Sequence, residues 1–207
     1  MSSIAVPPPA AHYPPAVRDP VPLLHRTLRE WGGRDDLWVF AYASLIWRPD
    51  FDVAEQRLAR VHGWHRALQM WSRVNRGTPE FPGLVFALLS GGSCHGAVLR
   101  VPQRDGEAVL HRLWDREMMT GVYDPRWLPC HSEAGPVRAL AFTLSRKSPN
   151  FTGELSAPQY RTIFTHARGR YGTTLDYARQ TLHCLRERGI HDPALHRLLA
   201  HARDHGH

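Results

Sequence analysis

Three features of the sequence predict an α+β fold. Apolar, hairpin-like segments follow one another without a repeated βαβ rhythm, a single helical pattern is inserted among them, and helical character takes over after Pro149. Residues 1–22 carry seven prolines, which fix φ and remove backbone donors. They predict a flexible, Pro-rich lead-in, with the folded domain over 23–207. LLHRTLREWG (Leu23 to Gly32) predicts a short helix stopped by its glycines. LWVFAYASLIW (Leu37 to Trp47) opens as an aromatic and β-branched run, a buried strand that breaks into a loop near Ala43 and Ser44. Gln56 to Val74 predicts two strands around Gly63, and RGTPEFPG (Arg76 to Gly83) has loop chemistry. LVFALLS, the dipeptide GG and CHGAVLRVP predict strand, tight connection and strand. A helix is expected over roughly Asp105 to Thr120, followed by two strands in RWLPCHS and VRALAFTLS. The last third predicts a helix started at Ser156, a second stopped by Gly189, and a third entered through Asp192 and Pro193.

A chain of 207 residues that is 43% hydrophobic suits one globular domain. No apolar run approaches the ~18 residues of a membrane span, so no membrane partner is expected. The start, MSSIAVPPPAAHYPP, lacks the basic and apolar regions of a secretory signal. Cys94, Cys130 and Cys184 are scattered and form no CxxC. Such a set argues against a disulfide framework and fits a cytoplasmic location. The net charge of +7 comes from arginines spread along the chain without a block. With no nucleic-acid motif present, it fits an anionic small substrate better than nucleic acid. The 14 histidines form no HExxH and no Cys/His zinc spacing. No metal and no cofactor is expected, and the sequence does not fix the oligomeric state.

One residue interrupts a helical pattern. Leu110, Leu113 and Trp114 fall at i, i+3 and i+4, and the next position of that apolar stripe is Glu117. Burying an ionised carboxylate without partners is costly. Three readings follow: an ion pair with Arg112, Arg116 or a distant arginine; a helix that ends early and leaves the acid wet; or a stripe that borders a cavity and turns the acid toward a substrate. In the last case desolvation raises the carboxyl pKa toward the range of a general base near neutral pH.

Four segments in this order, VFAYASLIW, RGTPEFPGLVFALLSGGSCHGAVLRVP, LWDREMMTGVYDPRWLP and LDYARQTLHCLRERGIHDPALHRL, resemble the ChaC family of glutathione-specific γ-glutamylcyclotransferases. The likeness runs from about Val39 to Leu199. It implies a small mixed β-barrel-like body with packed helices and a helical C-terminal segment. It also implies a lyase that cleaves glutathione to 5-oxoproline and cysteinylglycine. By this resemblance the catalytic acid/base is Glu117. The Y-G-S-L loop whose amides hold the γ-glutamyl end falls on Tyr42, Ala43, Ser44 and Leu45, and a late helix tyrosine falls on Tyr177. Arg76 is a cation suited to an anionic tripeptide.

The chain departs from the family pattern in three places. Ala43 replaces a glycine, Val74 and Asn75 replace an acid and a histidine, and Thr174 replaces a common asparagine. An alanine held at φ > 0 would cost about 1–2 kcal/mol. Two alternatives stay open: another γ-glutamyl amine or peptide as substrate, and an inactive γ-glutamyl-binding relative.

Overall fold

Two long antiparallel strands frame the molecule, β2 (Glu55–Ser72) and β3 (Gly83–Val101). They belong to a computed structural model that describes residues 17–202. Their register runs from Glu55 opposite Arg100 to Ser72 opposite Gly83, with a shift between His62 and Trp64. At that shift Gly63 faces Gly91 and Gly92, and all three have positive φ (78°, 98° and 70°). The sequence predicts four shorter strands here. Instead the glycines make a bulge that bends one continuous ribbon, because left-handed residues in a ladder increase twist without ending the pairing.

The first half of β2 and the second half of β3 belong to a closed barrel of order β1-β3-β2-β4-β5. β1 (Leu37–Ala41) runs antiparallel to β3, from Leu37 opposite Val101 to Ala41 opposite Ala97. β4 (Asp124–Ser132) pairs with β2 at Cys130–Ser132 and with β5 (Gly135–Thr143) along its length. β5 closes on β1 in parallel at Val39 opposite Leu140. Val39, Phe40, Val61, Leu99, Cys130 and Leu140, from its strands, are all buried. The architecture is therefore α+β with a barrel body, as the sequence and the resemblance predict.

Helices cover the barrel and the other half of the ribbon. α1 (Val21–Trp31) ends at Gly32, whose left-handed φ of 75° caps the helix by donating its N–H to the Leu28 carbonyl. It packs on α2 (Gln103–Glu117) where Gly106 lets the Trp31 ring approach: a Cβ there would lie 2.5 Å from the indole. α3 (Ala157–His166) starts at the predicted Ser156, which forms a capping box with Gln159. The predicted helical stretch then breaks into a small hairpin, β6 (Arg168–Gly169) and β7 (Gly172–Thr173). α4 (Thr174–Glu187) follows directly, capped by Thr173, and α5 (Pro193–Ala200) is capped by Asp192.

Residues 1–16 of the expected lead-in lie outside the described residues. Its remainder is packed: Val17 N donates to Thr120 O (2.7 Å), the Arg18 guanidinium reaches Gly121 O (2.9 Å), and α1 begins at Val21. Among the described residues no helix is long and apolar enough to cross a membrane, and no group of acids, histidines and cysteines could hold a metal. Cys94, Cys130 and Cys184 are all buried free thiols.

Candidate active site

α2 buries Leu110, Leu113 and Trp114, the predicted stripe. Glu117 is its last residue, where the stripe passes from the core to the wall of a cavity of about 820 Å³. The chain leaves through a turn at Gly121, whose φ of 61° and close approach to Arg18 exclude a side chain: a Cβ would sit 2.2 Å from the Arg18 carbonyl oxygen. Ser44, Arg76, Tyr123 and Tyr177 line the same cavity as Glu117.

The Glu117 side chain is only 18% exposed, and its Oε1 lies 3.0 Å from Nε of Arg116. Burial pushes its pKa above the ordinary carboxylate value, Arg116 pulls it down, and Asp50 pushes it up; burial dominates. A carboxylate in the last turn of a helix also faces the negative end of the helix dipole, which disfavours ionisation further. Two of the three readings of this residue therefore hold together. It makes an ion pair with Arg116 and it borders a cavity. It is not wet, although the helix does end there.

Arg116 reaches three neighbours besides Glu117. It donates to Ser44 Oγ (3.1 Å), to the Arg48 carbonyl (2.5 Å) and to Asp50. It thereby ties the end of α2 to the turn after β1. That turn is a short 3-10 segment, Ser44–Ile46. Its first internal bond is Ile46 N to Ala43 O (2.9 Å), so the Ser44 and Leu45 N–H groups precede the turn's own bonding. Ala43 has φ −144°, so alanine carries no left-handed penalty at this position.

The structure divides the predicted loop residues. Ser44 lines the cavity, whereas Tyr42, Ala43 and Leu45 are buried behind it. The Tyr42 hydroxyl donates to Phe142 O (2.9 Å) in the barrel, and its carbonyl accepts from Arg66 (2.7 Å). Burial pushes the Tyr42 and Tyr123 hydroxyls well above the usual tyrosine value, and the Glu117 charge adds to this.

Elsewhere in the cavity wall, the Arg76 guanidinium stacks over the Tyr177 ring at 4.8 Å. The ring also packs on Phe86 (5.3 Å) and Trp47 (6.0 Å), and burial raises the hydroxyl pKa. Burial lowers the Arg76 pKa, with Tyr177 and Asp176 opposing. The loop of residues 73–82 that carries Arg76 is fixed by its backbone. Arg170 N donates to Val74 O (2.8 Å), and Tyr171 N donates to Asn75 O (2.9 Å). A Cβ on Gly77 would meet Gly83 N at 2.0 Å. Thr174 Oγ1 accepts from Leu84 N (2.9 Å) and donates to Arg76 O (3.4 Å).

The Val74–Asn75 departure thus acts at this loop through main-chain carbonyls, and Thr174 ties helix, strand and loop with one hydroxyl. The Asn75 Oδ1, buried in the cavity wall, has no hydrogen-bond partner among the described residues.

Sequence reasoning missed Tyr123, Asp50 and Tyr171, and weighed Arg116 solely as a neutralising partner. Tyr123 carried a weak signal, lying just past Gly121 in a quoted segment. Asp50 had none for its link to Arg116, which lies on another element.

The chain is similar to known proteins over most of its length. A family model described as ChaC-like protein matches residues 37–205. The glutathione-specific γ-glutamylcyclotransferase of Escherichia coli is 33% identical over 164 residues, 79% of this chain and 71% of that one. Human glutathione-specific γ-glutamylcyclotransferase 1 is 30% identical over 173 residues, 81% and 78% of the two chains. Among solved structures, a yeast γ-glutamylcyclotransferase specific to glutathione superposes with a TM-score of 0.76 at 20% identity. That match covers 84% of this chain and 98% of the yeast one. With its barrel, its late helices and this span of matched residues, the chain belongs to the ChaC-like protein family.

Proposed function

We propose that this chain is a γ-glutamylcyclotransferase that cleaves glutathione to 5-oxoproline and cysteinylglycine, with Glu117 as the general acid/base. The observation that carries the reading is a carboxylate of raised pKa in the wall of a large cavity that a cation stacked on an aromatic ring also lines. The family membership and the names of its relatives support the substrate.

The chemistry asks little of the protein beyond shape and one proton shuttle. The substrate's α-amine attacks its own γ-carbonyl carbon, forming the ring C–N bond while the peptide C–N bond breaks. The ammonium gives up two protons, both end on the leaving nitrogen, and no water is consumed. A tethered nucleophile of this kind reaches effective molarities of about 10⁵–10⁸ M once its geometry is held. Glu117 takes the first proton and returns it to the leaving nitrogen, worth roughly 10²- to 10⁴-fold. The Ser44 amide would hold the γ-glutamyl end or its developing oxyanion. Arg76, fixed over Tyr177, would face a substrate carboxylate. The partner is this small molecule alone, neither nucleic acid nor membrane. The location is cytoplasmic, a reading supported by three buried free thiols.

The test is 5-oxoproline release from glutathione by wild type and Glu117→Gln. The variant should fold and lose turnover, and near-wild-type turnover overturns the assignment. A panel of γ-glutamyl compounds tests the substrate, since glutathione ranking lowest would exclude it.

A further inference from the structure

Asp50 stands apart on two counts. It is the sole non-glycine with positive φ among the described residues (62°), and its carboxylate is divided between two arginines. Oδ1 lies 3.0 Å from Nε of Arg48, and Oδ2 accepts from Arg116. Arg116 in turn uses every nitrogen: Nε on Glu117 (3.0 Å), Nη2 on Ser44 (3.1 Å), and Nη1 on Asp50 and the Arg48 carbonyl. One guanidinium is thus shared by two carboxylates from separate elements. Both partly line the same cavity.

That sharing has an electrostatic consequence. An arginine beside a carboxylate ordinarily lowers its pKa by 1–3. Here burial prevails, and Asp50 is the group that opposes Arg116. The groups that face Glu117 are Arg116 on its own helix, Asp50 after the 3-10 turn, Tyr42 at the end of β1, Tyr123 before β4, and Tyr177 on α4. The three tyrosines carry raised values and stay neutral, so Asp50 and Arg116 set the sign of the local field.

We propose that Asp50 is a positioning residue for the reaction: by engaging Arg116 it fixes the guanidinium between the Ser44 turn and Glu117 and takes a share of its charge, so that Glu117 holds the cation through one nitrogen alone. The inference rests on Glu117 as the acid/base. Removing the Asp50 charge throws the whole Arg116 field onto Glu117, which then ionises more readily and is a weaker base toward the substrate ammonium.

The experiment is the pH profile of kcat/KM for 5-oxoproline release from glutathione, in wild type, Asp50→Asn, Asp50→Gly and Arg116→Gln. Asparagine and glycine both tolerate the left-handed backbone, so either variant carries the test if the other folds poorly. Both should lose roughly tenfold in kcat/KM near neutral pH and move the acid limb to lower pH. Arg116→Gln should move it to higher pH. Substrate titrations are common to all four proteins and cancel in the comparison. Limbs that coincide with wild type, or that move the same way in Asp50→Asn and Arg116→Gln, overturn the proposal. If Glu117→Gln instead keeps wild-type turnover, it is the acid/base assignment that falls.

Discussion

Two arginine–carboxylate pairs in this molecule look alike in a contact map and behave differently. Arg66 meets Asp192 through two nitrogens, at 3.0 and 2.7 Å, and the arginine side chain is 4% exposed. The same carboxylate accepts from Leu195 N (2.9 Å) to cap α5, while Arg66 also donates to the Tyr42 and His95 carbonyls. Every group there is satisfied by the fold itself. Arg116 meets Glu117 through one nitrogen and one oxygen, shares its charge with Asp50, and does so at a cavity wall. The first pair closes on itself and holds elements together. The second leaves its acid with a raised pKa and an open side, the condition for exchanging a proton.

Breaking each pair should show the contrast, and the largest effect belongs to catalysis. Glu117→Gln is expected to cost roughly 10²- to 10⁴-fold in kcat, read by 5-oxoproline release. Asp192→Ala strands the buried Arg66 charge and removes a helix cap; it should cost about 3–5 kcal/mol of stability, measured by urea unfolding.

A sharper contrast comes from pH. The Glu117 pKa is raised in the folded state, so its ionised form weakens the fold. That cost is absent below the unfolded value of about 4.3 and complete above the folded one. Thermal melts should therefore show Glu117→Gln gaining on wild type at pH 8 and losing that gain at pH 4. The smallest effect concerns Ala43. With φ negative, restoring glycine relieves no left-handed penalty, adds unfolded-state freedom and removes a buried methyl, and should destabilise by about 1–2 kcal/mol. An activity gain in Ala43→Gly would show that the turn adopts another conformation with substrate bound.

Local signals are legible in the sequence and non-local ones are not. Ser156 and Gln159, Asp192 and Pro193, and the glycines after α1 and α4 mark helix ends through chemistry confined to a few residues. Glu117 stood out because a helical stripe has a period, and the structure places it where that stripe meets the cavity. Gly63 looked like a strand break because its role depends on Gly91 and Gly92 across the ladder, nearly thirty residues later. The hairpin at Arg168–Thr173 interrupts an expected helical stretch because the bonds that hold it, to Val74 and Asn75 carbonyls, come from a distant loop. Tyr42 was placed at the site with its neighbours, yet its side chain turns to Phe142 in the barrel. The Asp50–Arg116 link has no local pattern at all.

The parallel seam between β1 and β5 carries a consequence for how the protein is made. Val39 meets Leu140 across roughly a hundred residues, so on a growing chain one flank of β1 stays without its neighbour until the second half of the barrel has emerged. During that interval an apolar strand offers open hydrogen-bonding groups to any other nascent copy. Synthesis speed and crowding, more than the equilibrium strength of the finished barrel, should then govern how much usable protein a cell recovers.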